Sequence, residues 1–139
     1  MSRNLDHLPF VQLLGITFEE IGDGAAVGSL PMREEFTSNP RTGIAHGAVP
    51  YALADTIGGA AASSVAESVT PTINMRIDYV APPVADVLWA EAEVVSAGSN
   101  VATVDVDVTS EDDELLATAR GTYKLSGASA SSPWLDQEE

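Results

Sequence analysis

The chain has 139 residues, 45% of them hydrophobic, a length and composition suited to a single domain with its own core. Its 21 Asp and Glu stand against 6 Lys and Arg, a formal net charge of −15 that argues against binding to nucleic acid and against a polybasic membrane-binding surface. It has no cysteine, which excludes disulfides, thiolate metal sites and a cysteine nucleophile.

The first third of the chain is predicted to hold a short helix and a β-hairpin. Apolar residues recur at helical spacing over residues 8–14, and Gly15 ends the helix. Two strands are predicted at 16–21 and 25–32, and the Gly-Asp-Gly sequence between them is a strong signal for a hairpin turn. Residues 33–45 are polar and rich in turn formers, so they are predicted to form a loop.

One long helix is predicted over residues 47–66. Pro50 lies in its first turn, where the missing N–H costs little. Gly58 and Gly59 each cost about 1 kcal/mol relative to alanine in a helix interior, and three alanines follow them. Such small residues indicate close packing of the helix backbone, most simply against a sheet.

The second half of the chain has the alternating pattern of β-strands. In the first segment, strict alternation places Thr72 and Arg76 on one face and Ile73 and Met75 on the other. The four predicted strands cover residues 72–79, 87–95, 101–109 and 115–125.

The order of these elements defines the predicted fold. Short helix, two strands, loop, long helix and four strands favour the α+β class, with a mainly antiparallel sheet curled around the long helix. One domain is expected over residues 1–125, followed by a flexible, acidic tail rich in Ser, Ala and Gly at 126–139. No targeting segment or membrane span is apparent, so the default expectation is a cytoplasmic protein.

The densest group of candidate functional residues surrounds the start of the long helix. His46 stands directly before Gly47, where the unpaired N–H groups of a helix start could polarise a carbonyl oxygen. Asp55 follows two turns later on nearly the same helix face. A carboxylate among apolar neighbours is costly unless it is paired or catalytic, and both roles stay open. For His46, a capping role at the helix start is favoured over a catalytic one.

Other arrangements of reactive side chains are weaker. His7 and His46 are too few for a multi-histidine zinc site, so no metal is expected. A Ser-His-Asp triad can be drawn from Ser63 or Ser64 with His46 and Asp55, but neither serine lies in a G-x-S-x-G elbow.

Two blocks of sequence resemble a known family: HGAVPYALADT at 46–56 and TPTINMRIDYVAPP at 70–83. With VVSAGSNVATVDVDV and LATARGTYKL further on, they resemble the hotdog-fold acyl-CoA thioesterases of the phenylacetyl-CoA (PaaI) type over nearly all of residues 15–125. The resemblance implies a curved antiparallel sheet around one long helix. It also implies hydrolysis of a small or medium, or aromatic, acyl-CoA to the free acid and CoA. Because CoA is part of the substrate, no separate cofactor is implied.

The resemblance implies a role for each of several residues. Asp55 falls at the catalytic carboxylate, either general base or nucleophile, and the Gly47 amide would polarise the thioester carbonyl. Thr72 matches a serine or threonine that reaches the site across a dimer interface. Asn39 matches a loop asparagine beside the attacking water, one residue further from His46 than is usual, and His46 completes the predicted catalytic set. The site would thus be shared within a homodimer, and such dimers commonly pair into tetramers.

Binding of the polyanionic CoA to so acidic a chain needs local positive charge or screening by salt. The turn with Gly98 and Asn100 lies near the expected nucleotide site, and Arg76 is a candidate partner for the phosphates. Surface acidity of this kind is typical of a halophilic protein in molar salt, where the Debye length is about 3 Å. The other cations considered are Arg41, Arg120 and Lys124, and for the arginines an ion pair on the acidic surface is favoured.

Two other functions remain open. Hotdog-fold dehydratases of hydroxyacyl thioesters use a catalytic histidine, which His46 would have to supply, whereas the aspartate nine residues later favours hydrolysis. A non-catalytic acyl-CoA binding module would bind its ligand saturably without turnover. In all three cases Tyr51 and Met75 are candidates for lining the acyl pocket.

Overall fold

The elements follow the predicted order along the chain. The computed structural model describes residues 5–66 and 68–125, so the predicted tail at 126–139 lies outside the described residues. The helices and strands are α1 (Pro9–Leu14), β1 (Thr17–Gly22), β2 (Ala25–Pro31), β3 (Thr37–Asn39), β4 (Ile44–Ala45), α2 (Ala48–Ala66), β5 (Thr72–Tyr79), β6 (Val87–Ala97), β7 (Val101–Thr109) and β8 (Leu115–Lys124).

Six of the strands form one antiparallel sheet in the order β1-β2-β6-β7-β8-β5. The long helix α2 packs against one face of this sheet, here called the inner face, and Leu53 and Ile57 of α2 are fully buried there. On the strands, Leu88, Val104 and Leu116 are equally buried in the same core. The predicted α+β architecture, an antiparallel sheet with one long helix, is confirmed. No helix in residues 5–66 or 68–125 is long and apolar enough to cross a membrane.

The β1–β2 hairpin has the tight turn that its sequence predicts. Asp23 and Gly24 have φ angles of 56° and 81°, and two successive positive values define a type I′ turn whose twist matches that of the strands. Ser64 ties this turn to α2, because its Oγ accepts the Gly24 N–H at 2.8 Å and donates to the Ala61 carbonyl. Ser64 is therefore a structural residue rather than a nucleophile.

The prediction of a plain loop over residues 33–45 is wrong in part. The segment contains a 3₁₀ turn at Glu34–Phe36 and a small hairpin made of β3 and β4. Asn39 Oδ1 accepts the Arg41 N–H at 3.0 Å and the Asn39 carbonyl accepts the Gly43 N–H, so Asn39 shapes the turn between these strands. Strands of three and two residues are too short to show an alternating pattern in the sequence.

The edge strand β5 contains a bulge near its start. Thr72 lies opposite Tyr123 of β8, but the next pair is Asn74 with Thr122, so Ile73 is an extra residue on β5. The extra residue shifts the alternation by one position, which places Thr72 on the inner face together with Met75. Strict alternation had predicted opposite faces for these two residues.

The helix α2 packs closely against the sheet at its two adjacent glycines, as predicted. This close packing requires glycine at position 58 but not at position 59. A Cβ on Gly58 would lie 2.5 Å from Tyr123 Oη and 3.3 Å from Val106 Cγ2. A Cβ on Gly59 would meet only Tyr123 Cε2, at an ordinary contact distance of 3.5 Å. Close approach of helix and sheet therefore excludes a side chain at Gly58 and tolerates one at Gly59.

We expect alanine to have opposite effects on stability at these two positions. Gly58→Ala overfills the interface with β8 and should lower the free energy of unfolding by about 1–3 kcal/mol. Gly59→Ala should raise it by up to about 1 kcal/mol, because alanine is the better helix former and meets no clash. Urea denaturation of both variants measures the difference, and equal effects would contradict the packing described here.

Candidate active site

Asp55 lies in the middle of α2, where β5 and β8 meet it. Its Oδ1 accepts a hydrogen bond from Thr72 Oγ1 at 2.7 Å and lies 3.1 Å from Tyr123 Oη. Tyr123 Oη also donates to the Asp55 backbone carbonyl at 2.9 Å. Among the described residues no donor reaches Oδ2, so one carboxylate oxygen is held and the other is available.

The bulge of β5 brings Thr72 to this carboxylate. Because Ile73 is the extra residue, the Thr72 side chain turns to the inner face and reaches Asp55 seventeen residues earlier in the same chain. The resemblance had implied that this threonine comes from a second subunit. The contact forms here within one chain and needs no partner.

Tyr123 is a site residue that the sequence reasoning missed. Its ring is fully buried, and burial, together with the neighbouring carboxylate of Asp55, raises the pKa of the Tyr123 phenol far above its ordinary value. The hydroxyl therefore keeps its proton and acts as a donor. The sequence of β8 carries a local signal, one large aromatic side chain after the small inner-face residues Ala119 and Gly121, but it does not indicate Asp55 as the partner.

We expect Tyr123→Phe to lower the free energy of unfolding by about 1–3 kcal/mol. The substitution keeps the ring and its packing but removes the hydroxyl that donates to Asp55, which leaves a part-buried acceptor without this partner. Urea denaturation measures the loss. Thr122→Val, on the face of the sheet turned away from α2, is the control, and an equal loss in both variants would contradict a specific role for the Tyr123 hydroxyl.

A cavity of about 260 Å³ opens beside Asp55 and Thr72. Residues of α2 and of the region around α1 both line it. The predicted lining residues Tyr51 and Met75 are not part of it; Tyr51 Oη instead donates to the Met75 carbonyl at 3.1 Å. The leucine, valine and phenylalanine side chains that line the cavity are Leu5, Leu8, Phe10, Val11, Phe18 and Val69.

The start of α2 forms a second group of candidate residues. His46 Nδ1 accepts the Ala48 N–H at 3.0 Å, the capping role favoured from the sequence. The Gly47 carbonyl accepts a hydrogen bond from Tyr79 Oη at 2.6 Å, whereas the Gly47 N–H meets no acceptor in the described part of the chain. A free amide at a helix start is suited to polarising a carbonyl oxygen.

The residues around Asp55 and the residues at the start of α2 are too far apart to act together on one bond. Gly47 precedes Asp55 by eight residues, which corresponds to about 12 Å along a helix axis. His46 lies one residue further away, and Asn39 lies on the exposed β3–β4 hairpin. Within one chain, therefore, the structure joins Asp55 to Thr72 but not to Gly47.

The two features predicted to bind CoA, the turn with Gly98 and Asn100 and the side chain of Arg76, lie in different parts of the sheet. The Asn100 carbonyl accepts the Leu125 N–H at 2.7 Å, which places the β6–β7 turn with Gly98 and Asn100 at the same end of the sheet as Thr72. Arg76 lies opposite Arg120 on the outer face, the face turned away from α2, and pairs with Asp78 at 3.0 Å. The structure therefore does not bring Arg76 to the site.

Comparison with known proteins gives a consistent result. The sequence profile of the thioesterase superfamily matches residues 42–117. A provisionally named esterase of Halobacterium salinarum is 30% identical over 133 residues, with 87% of each chain covered. A medium/long-chain acyl-CoA thioesterase of Salmonella typhimurium is 26% identical over 134 residues, with 86% of each chain covered.

Solved structures agree with these sequence matches. A mutant of the phenylacetic acid degradation protein PaaI from Thermus thermophilus has a TM-score of 0.76 and 30% sequence identity to the present chain. The match covers 84% of the present chain and 98% of that structure. The similarity thus extends over almost the whole domain.

Proposed function

Since the chain belongs to the thioesterase superfamily, as a hotdog-fold thioester hydrolase of the PaaI type, we propose that it hydrolyses acyl-CoA with Asp55 as its catalytic carboxylate. The observation that supports this proposal is the asymmetric environment of Asp55. Thr72 and Tyr123 both lie at Oδ1, Oδ2 has no donor from the described residues, and an apolar cavity begins at the same side chain.

In this proposal Oδ2 of Asp55, the carboxylate oxygen without a hydrogen-bond donor from the described residues, is the reactive atom. As a general base it takes a proton from water while the water oxygen attacks the thioester carbon. As a nucleophile it attacks that carbon itself, and water then hydrolyses the resulting anhydride. In both cases the carbon–sulfur bond breaks and CoA leaves as the thiolate. Thr72 and Tyr123 keep the carboxylate oriented throughout.

We further propose that the oxyanion is stabilised from a second copy of the chain. The negative charge that gathers on the thioester oxygen needs a donor such as the Gly47 N–H, which lies about 12 Å from Asp55 along the same helix. Gly47 of the partner subunit would supply this amide in a homodimer. Each active site would then combine Asp55 and Thr72 of one chain with the helix start of the other.

Release of free thiol from a series of acyl-CoAs, from acetyl to decanoyl and including phenylacetyl, tests the proposed reaction. We expect saturable turnover with at least part of this series. Tight binding of acyl-CoA without release of thiol would instead identify a binding module. Addition of water to an enoyl-CoA with the thioester left intact would identify a dehydratase.

The charge of the chain predicts that hydrolysis depends on salt. A chain with a formal charge of −15 repels the phosphates of CoA, and two of its cations, Arg76 and Arg120, pair with Asp78 and Asp105. Added salt shortens the Debye length from about 30 Å at 0.01 M to about 3 Å at 1 M and so weakens this repulsion. We expect kcat/KM to rise between dilute buffer and molar KCl. A steady decline would contradict the proposal of a protein adapted to high salt.

A further inference from the structure

The cavity follows α2 away from the reactive carboxylate. The helix residues that line it recur at the spacing of one helix face, and they span two turns, or about 12 Å along the axis. An acyl group whose thioester carbon lies at Asp55 can therefore extend along the helix. These residues are Asp55, Thr56, Gly59, Ala60 and Ser63.

The side-chain hydroxyls at the far end of this face have no proton free for a ligand. Ser63 Oγ and Thr70 Oγ1 lie 2.9 Å apart, and Thr70 Oγ1 donates to the Gly59 carbonyl at 3.2 Å. Since the Thr70 proton goes to Gly59, the Ser63 proton goes to Thr70, and both hydroxyl protons are used. Among residues 5–66 and 68–125, no lysine or arginine lines the cavity, and Asp55 at its other end is acidic. A second carboxylate on the acyl group would find no side-chain partner among these described residues.

Gly59 lies midway along this face, and its missing side chain leaves space in the cavity. Helix packing does not require glycine at this position, because a Cβ there would meet only Tyr123 Cε2 at 3.5 Å. Its neighbour Gly58 differs, since a Cβ there would lie 2.5 Å from Tyr123 Oη. The fold thus accounts for glycine at 58, whereas at 59 the effect of glycine is to widen the cavity.

We propose that Gly59 is a specificity-determining residue: an uncharged acyl group lies along α2 from Asp55 towards Ser63 and passes over Gly59. This inference rests on the proposed thioesterase function and adds the class of acyl group that the site accepts. Side chains at 59 shorten the cavity, and acyl groups that end in a carboxylate are excluded.

The test compares acetyl-, octanoyl- and succinyl-CoA as substrates for the wild type, Gly59→Ala and Gly59→Leu. We expect the ratio of kcat/KM for octanoyl-CoA to that for acetyl-CoA to fall about 10-fold or more in Gly59→Leu, and less in Gly59→Ala. Ala52→Leu is the matched control, because Ala52 belongs to the same helix but not to the cavity, and its ratio should stay at the wild-type value. In the wild type, succinyl-CoA should be the poorest of the three.

Binding of hydrolysis-resistant thioether analogues of the same three acyl-CoAs, measured by calorimetry, separates this inference from the proposed reaction. If the wild type binds these analogues but hydrolyses no thioester, the reaction is refuted while the ratio of dissociation constants still tests Gly59. An unchanged octanoyl-to-acetyl ratio in both Gly59 variants, or an equal change in Ala52→Leu, overturns the inference. If Gly59→Leu does not fold, the octanoyl-to-acetyl ratio of Gly59→Ala alone tests the inference.

Discussion

Replacing Asp55 by asparagine is expected to lower kcat for acyl-CoA hydrolysis about 10²–10⁴-fold, the usual contribution of a general base. Asparagine has the same shape, and its carbonyl oxygen can still accept the hydrogen bonds of Thr72 and Tyr123. The amide, however, takes no proton from water at neutral pH and does not attack a thioester. The fold should therefore survive while the chemistry is lost.

The loss is measured as thiol release under saturating substrate, with circular dichroism and urea denaturation as tests of the fold. Asp107→Asn is the matched control: it removes one negative charge from an exposed residue of β7, and it should turn over normally. Near-normal turnover in Asp55→Asn would show that another group does the chemistry. Thr72→Val should fall between the wild type and Asp55→Asn, because Tyr123 still holds the carboxylate.

A mixture of two inactive variants is expected to recover activity if the site is shared between subunits. Gly47→Pro removes the only amide proton of that residue and should lower kcat about 10²–10³-fold, the typical effect of losing one oxyanion donor. Asp55→Asn removes the carboxylate. In a mixed dimer, one site combines the intact Asp55 of one chain with the intact Gly47 of the other. Random exchange of subunits should thus restore about one quarter of the wild-type sites.

The experiment mixes the purified variants, exchanges their subunits in mild denaturant and follows thiol release after refolding. Each variant carried alone through the same procedure is the control for refolding. Recovery of activity would also show that Gly47→Pro folds and associates. If both groups acted within one chain, every site in the mixture would lack one of them, and no activity would return.

Local patterns predicted most of the fold. The turn at Asp23 and Gly24 shows that short sequence signals suffice where backbone conformation alone decides the structure, since both residues take positive φ angles there. The glycines of α2 likewise predicted its contact with the sheet. The β3–β4 hairpin was not predicted, because two pairs of residues are too few to show an alternating hydrophobic pattern.

The site was harder to predict than the fold, because its residues meet through tertiary contacts. Asp55 is recognisable in the sequence as a carboxylate among apolar residues, and Gly47 as the residue at the start of the same helix. Tyr123 joins Asp55 across 68 residues, and nothing local to either residue indicates the pair. Arg76 was predicted at the CoA site by its charge, whereas the register of β5 with β8 places it on the other face of the sheet.

The extra residue in β5 makes the reactive end of this strand sensitive to changes of length rather than of composition. From Asn74 onward the strand is regular, so its outer residues such as Arg76 and Asp78 can be exchanged without moving Thr72. Deletion of Ile73, or insertion beside it, would instead turn Thr72 away from Asp55 while leaving every chemical group in place. Related chains should therefore differ widely in residue type along this strand, but they should not differ by insertion or deletion of a single residue.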